Sequence, residues 1–302
     1  MNKKEFARKV QADIADRLGK NFRICLKEVV KNNGVAMQGL LIYSKDQNVT
    51  PTIYLEAFYE RYIQGEAWEL IMDKILTVYK NGLPKETINM DFFNDFEMVK
   101  ERIAYKLINA ERNKELLSKI PHIQFLDLAI CFYYAFAHKT LGNGSILVYN
   151  GQVETWKTNT VELLRLAQKN TRKLFGMELI PMEDLLTKLL QDEEADMSED
   201  ASYDLSRDVW MQILTNRGRM FGAAGILYPG VLSKIADEAQ ANLYILPSSV
   251  HEVILLADTG EEDIQLLKRM VREVNATQVL PEEVLSDSVY YFDREKREVS
   301  SF

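Results

Sequence analysis

The alternation of apolar and polar positions divides the chain into amphipathic helices and short strands arranged as hairpins. Asn2 and Glu5 stand at the spacing of a capping box, and Phe6, Val10, Ile14 and Leu18 share one helical face. The runs F-R-I-C-L-K-E-V-V and V-A-M-Q-G-L-L-I-Y flank Asn33-Gly34, a strong hairpin signal. Pro51 introduces a helix over Tyr54 to Tyr62, broken near Gly65 and followed by a second helical run to Tyr79. Gly82 and Pro84 mark a connection. Asp95 to Glu101 then predicts a helix, I-A-Y-K-L-I-N a strand, and Lys114 to Ile120 a short helix stopped by Pro121. Leu126 to Phe136 predicts a buried strand and S-I-L-V-Y-N another. The most regular helix runs from Thr160 to Phe175, with Asn159 and Glu162 placed to cap it.

In the last hundred residues, V-W-M-Q-I-L-T-N and M-F-G-A-A-G-I-L-Y predict a hairpin about Asn216-Arg217-Gly218. Pro229 suits the first turn of a helix to Ala239, where its missing N–H would be unpaired anyway. N-L-Y-I-L and V-H-E-V-I-L-L-A-D predict a second hairpin across Pro247-Ser248-Ser249. Thr259 and Glu262 are placed to cap a helix with Ile264, Leu267, Val271 and Val274 inward, and two short strands close the chain. Hairpins joined by helices imply an α+β fold: two lobes of mainly antiparallel sheet covered by amphipathic helices. The expected division is an N-terminal helix-hairpin-helix region over 1–120 and a C-terminal α+β domain over 121–302. D-E-E-A-D-M-S-E-D at 192–200 reads as a solvated acidic loop, and it lacks the central glycine of a calcium loop.

Composition narrows the function classes. A hydrophobic content of 47% supplies a packed core and excludes global disorder. A net charge of -8, with basic residues scattered among acids, opposes nucleic-acid binding. Cys25 and Cys131 lie far apart in apolar runs and read as buried free thiols of a reducing compartment. The N-terminus lacks the apolar stretch of a signal peptide, and the longest apolar runs are too short to span a bilayer. The expectation is a soluble, cytoplasmic protein without a membrane segment. His122, His138 and His251 are the only histidines and none stands in a metal-ligand spacing, so neither metal nor cofactor is expected.

Candidate chemistry is sparse. Ser248, Ser249 and His251, with Asp237 or Asp258, contain a nucleophile, a base and an orienting acid, but no G-x-S-x-G elbow surrounds them. The competing reading makes the serines turn residues whose hydroxyls satisfy backbone groups. Gly222-Ala223-Ala224-Gly225 lacks the lysine and spacing of a phosphate loop and reads as close packing. Glu56 and Glu60, beside Arg61, form an acidic i,i+4 pair that fits a solvated helix face, with metal or acid–base work as the alternative. Tyr54, Phe58, Tyr59 and Tyr62 make an aromatic stripe, either core or a partner-binding surface, in which Tyr54, Phe58 and Tyr62 are the candidate binding residues. The expected function is a non-enzymatic interaction or ligand-binding module for a protein or small-molecule partner. The alternative is a hydrolase using Ser249, His251 and a nearby acid.

Three runs carry a resemblance: P-T-I-Y-L-E-A-F-Y-E-R-Y, L-T-N-R-G-R-M-F-G-A-A-G-I-L-Y and N-L-Y-I-L-P-S-S-V-H-E-V-I-L-L-A-D. Together they resemble the DUF5688 family of uncharacterised proteins from gut Firmicutes, across nearly the whole chain. The layout is also similar to that of DUF1444 proteins, with Asp127-Leu128 and the Asn159 to Phe175 helix as counterparts. The resemblance implies a lineage and a fold and carries over no catalytic residue.

Overall fold

The computed structural model describes residues 1–45, 47–84, 91–138, 142–184 and 210–302, with only the backbone of residues 137, 138, 142 and 248. The acidic run at 192–200 lies outside the described residues. The chain forms two compact units, Met1–Asp95 with Phe136–Gly144, and Phe96–Ala135 with Ser145–Phe302.

In the first unit, helix α1 (Lys3–Leu18) begins at the expected capping box of Asn2 and Glu5. It packs on a three-stranded antiparallel sheet, β1 (Phe22–Val30), β2 (Ala36–Ser44) and β3 (Thr52–Tyr54). The Asn33-Gly34 hairpin forms as expected, with both residues at positive φ, 61° and 70°. Helices α2 (Glu56–Ile63) and α3 (Trp68–Gly82) complete the unit. Tyr54 ends β3, so it is not part of the helix the sequence predicted there. The core joins Phe6, Val10 and Ile14 of α1 to Leu40 and Ile42 of β2 and Ile71, Met72 and Ile75 of α3.

The second unit begins with α4 (Phe96–Val99) and β4 (Ile103–Asn109). After α5 (Lys114–Leu117) come β5 (His122–Phe125) and β6 (Leu128–His138), which set the sheet order β4-β6-β5, and β7 (Gly142–Leu147) pairs β6; residues 136–138 of β6 and 142–144 of β7 are counted with the first unit. The β4–β6 pairing crosses residue 120, where the sequence placed a domain boundary. The S-I-L-V-Y-N run is strand only to Leu147, and Asn150–Trp156 is a helix, α6. Helix α7 (Thr160–Phe175), capped by Asn159, covers the free edge of β4. The Thr171 hydroxyl accepts the Tyr105 N–H at 3.1 Å, and the Asn170 amide donates to the Ile103 carbonyl at 3.0 Å. Side chains thus take the place of a neighbouring strand at Ile103 and Tyr105.

Strands β8 (Glu178–Pro181), β9 (Met211–Thr215), β10 (Leu243–Ser249), β11 (Glu252–Ala257), β12 (Tyr290–Asp293) and β13 (Glu298–Ser301) form a six-stranded antiparallel sheet. Its order is β13-β12-β10-β11-β9-β8. The F-G-A-A-G-I-L-Y run is not its expected hairpin partner: Gly222–Leu227 is a 3-10 turn packed beside β9. Helix α8 (Val231–Ala239) starts after Gly230 at φ 74°. Helix α9 (Ile264–Thr277) is capped by Asp263 rather than Thr259, and Val274 faces outward at 39% exposure. Its Leu267 and Val271 cover Tyr244, Leu246, Leu256 and Val289.

One carboxylate ties distant segments together. Asp127, next to Leu126 in the left-handed region, accepts the hydroxyls of Ser286 at 2.5 Å, Ser288 at 3.0 Å and Tyr290 at 2.6 Å. Arg112 pairs with Asp287 at 2.7 Å, and the Asn109 amide donates to the Leu285 carbonyl at 3.1 Å. Burial and the Asp127 hydrogen bond both push the Tyr290 phenol up.

Candidate functional site

Strand β4 is buried at every position except Lys106, which is half-buried. Side chains alternate along a strand, so Ala104, Lys106 and Ile108 share a face. Register places Lys106 opposite Cys131, and Cys131 opposite His122, in one row across β4, β6 and β5. Apolar clusters flank the lysine on both sides. Ala104, Tyr133 and Ala135 pack with Leu174, Phe175 and Phe221, while Ile108, Ala129 and Cys131 pack with Leu117 and Ile120.

The Lys106 ammonium sits 4.4 Å from the centre of the Phe221 ring. Among the described residues it has no hydrogen-bond acceptor and no carboxylate partner. A charge taken from water without such a partner costs several kcal/mol, so burial holds the amine well below the usual lysine range. The adjacent Cys131 thiol is pushed up to about 12 by burial, which outweighs the opposing pull of Lys106. Burial likewise raises the Tyr133 phenol.

Phe221 is held by an unusual backbone. It adopts φ 57° and ψ 29°, a left-handed conformation that costs a bulky residue roughly 1–3 kcal/mol. Three contacts hold it there. Buried Asn216 brackets the loop, its amide donating to the Met220 carbonyl at 2.8 Å and its oxygen accepting the Met220 N–H at 3.3 Å. The Phe221 N–H donates to His251 Nδ1 at 3.3 Å, and its ring lies parallel to the imidazole at 5.9 Å. The third contact is Tyr133, edge-on to the ring at 5.3 Å. Gly222 follows because nothing larger fits: a Cβ there would lie 2.4 Å from the His251 carbonyl and 2.4 Å from Thr215 Oγ1.

The same contacts decide what His251 can do. Because Nδ1 accepts a backbone N–H, the hydrogen-bond network assigns the ring hydrogen to Nε2, which faces Glu283 at 3.4 Å. The structure does not bring the imidazole to the Ser249 hydroxyl. That hydroxyl instead accepts the His251 backbone N–H at 3.0 Å, a turn contact beside the irregularity between Leu246 and Ser249. The side chain of Ser248 lies outside the described residues. Asp237 pairs with Arg294 at 3.0 Å and Arg297 at 3.1 Å, which together hold its carboxyl low. Asp258 accepts the Tyr291 hydroxyl at 2.6 Å.

The other sequence candidates are also placed. Phe58, Tyr59 and Tyr62 pack against the first unit's core, where Tyr59 and Tyr62 meet the Phe6 ring at 5.4 and 5.5 Å. Tyr54 carries the Lys31 ammonium 3.9 Å above its ring. Glu56 accepts the Gln38 N–H at 2.6 Å while Glu60 is exposed, so they do not converge on one site. His122 lines an open hollow of about 460 Å³ with Gln124, Asp127 and Lys114. His138 is described by its backbone alone. Both cysteines are free thiols, Cys131 buried and Cys25 partly exposed. Among the described residues, no three His, Cys, Asp or Glu side chains are grouped to hold a metal ion, and no helix is long and apolar enough to cross a membrane.

Sequence reasoning missed Lys106. Its signal was the single charge inside I-A-Y-K-L-I-N, since a charged residue in an otherwise apolar strand is the informative anomaly.

No curated protein and no solved structure matches the chain. A family model described as a family of unknown function, DUF5688, matches residues 3–294, and the chain belongs to that family.

Proposed function

We propose that this chain is a non-enzymatic ligand-binding protein whose second unit takes a small organic anion, a carboxylate or phosphate, against Lys106 and the Phe221 ring. The observation that carries this reading is the Lys106 amine, half-buried between two apolar clusters with no acid beside it among the described residues. An anion would supply the missing counter-charge, and the apolar side chains on either side of the lysine would hold the apolar part of the same molecule. Exposed Arg217 and Arg219, on the loop leading into Phe221, have no carboxylate partner among the described residues. They provide local positive charge on a chain of net charge -8. The occupied Nδ1 of His251 and the engaged Ser249 hydroxyl favour binding over a serine-hydrolase reading.

Thermal unfolding in sodium acetate, benzoate or phosphate, against sodium chloride at equal ionic strength, tests the reading. The wild type should rise in Tm with the logarithm of anion concentration, and Lys106→Met should not. Equal responses of the two proteins would refute the assignment. A broad esterase and peptidase screen of wild type, Ser249→Ala and His251→Ala should find all three equally inert.

A further inference from the structure

We propose that Lys106 captures small aldehydes and ketones as an imine, making the site a reversible covalent trap for carbonyl compounds. The inference rests on the ligand-site reading above and adds a chemical step to it.

Three features single out this amine. Its Nζ has the face of Phe221 as its partner, a contact that favours the ammonium, but burial outweighs it and no hydrogen bond or ion pair among the described residues ties the nitrogen down. Lys100, Lys114, Lys119, Lys234 and Lys296 are tied to carboxylates. Of the lysines that lie over rings instead, Lys3 and Lys9 are exposed and Lys31 stands just past the end of β1, whereas Lys106 lies inside a strand between two apolar clusters. Lastly, β4 is held on both edges beside Lys106, by pairing with β6 on one side and by α7 side chains bonded to Ile103 and Tyr105 on the other. A nucleophile on a rigid element keeps its aim.

The groups facing Lys106 are compatible with a neutral amine. Cys131 and Tyr133 of β6 are buried and both resist ionisation, so neither supplies a negative charge at neutral pH. His122 continues the row on β5. From the Phe221 loop the lysine meets an uncharged ring, behind which His251 is paired with Glu283. Desolvation next to apolar surface is a general route to nucleophilic lysines.

The step balances without any oxidant or reductant. The Nζ lone pair attacks the carbonyl carbon and forms the C–N bond, and the C=O π pair moves to oxygen. The nitrogen passes one of its two protons to that oxygen, giving a carbinolamine, which takes up one proton from solvent, loses the hydroxyl as water and releases the remaining nitrogen proton to solvent. The C=N bond remains, so amine and carbonyl give imine and water.

Propionaldehyde and pyruvate, each with sodium cyanoborohydride, test the inference on the full chain, because the hydride converts the imine to a stable secondary amine. Peptide mapping should find Lys106 modified at least ~10-fold faster than the exposed lysines at neutral pH, since the neutral fraction grows as the amine's affinity for protons falls. Lys106→Arg should lose that adduct and keep the slow surface labelling. Modification of Lys106 no faster than the surface average in the wild type would overturn the inference, whatever the variant does. A parallel arm with saturating acetate separates the two readings. Acetate that raises Tm through Lys106 while no fast labelling occurs leaves the anion reading standing and refutes the trap. Fast labelling that acetate does not slow supports the trap and refutes the anion reading.

Discussion

Asp127→Ala should lower the stability of the second unit by about 3–5 kcal/mol, which corresponds to a fall in Tm of roughly 10 °C. The size follows from what is left behind. Ser286 and Tyr290 are fully buried, and each loses its acceptor when the carboxylate is removed. An orphaned buried hydroxyl costs about 1–3 kcal/mol, and the partly exposed Ser288 adds less because water can replace its partner. Asp127→Asn keeps one acceptor oxygen and should lose about half as much. Urea unfolding followed by circular dichroism measures both. Variants within about 0.5 kcal/mol of wild type would show that the hydroxyl network is incidental.

Gly222→Ala should cost about 3 kcal/mol, although it adds only one methyl group. The added carbon would lie 2.4 Å from the His251 carbonyl and 2.8 Å from the Asn216 N–H, both backbone atoms that cannot rotate away. The Phe221 loop would have to shift, and the ring would leave Lys106 and His251. Gly222→Ala should therefore also abolish any acetate-dependent rise in Tm. Gly151→Ala is the matched control, because nothing lies within 4 Å of its added carbon and it sits in α6. That change should stabilise by roughly 0.5–1 kcal/mol through helix propensity alone. Thermal denaturation of the two variants should move in opposite directions, and a shared direction would refute the steric account.

Local rules carried much of this fold. The Asn2 and Asn159 caps, the Asn33-Gly34 hairpin and the β10–β11 pairing form where their residue types require them. The expectations that failed depended on contacts remote in sequence. F-G-A-A-G-I-L-Y has the composition of a strand, yet it folds as a 3-10 turn because Gly222 seats against Thr215 and the His251 carbonyl. Phe221 enters the left-handed region only because Asn216, Tyr133 and His251 hold it there. The Ser249–His251 spacing suggested chemistry, but the turn aims the backbone of His251, not its ring, at the hydroxyl. Lys106 was visible as a charge in an apolar strand, whereas its lack of an acid partner among the described residues is a property of the folded neighbourhood.

The most direct measurement observes the Lys106 amine alone. Lysine side chains labelled with 13C at Cε can be titrated by NMR, with Lys106→Met assigning the resonance. The account predicts that Lys106 titrates well below the ordinary value of about 10.4 and that saturating acetate moves it upward. Stability follows with a definite sign. With the native amine losing its proton first, the unfolded chain binds more protons between the two values, so wild type should gain on Lys106→Met as pH rises through that window. A Lys106 resonance that titrates with the surface lysines and ignores acetate would contradict the account.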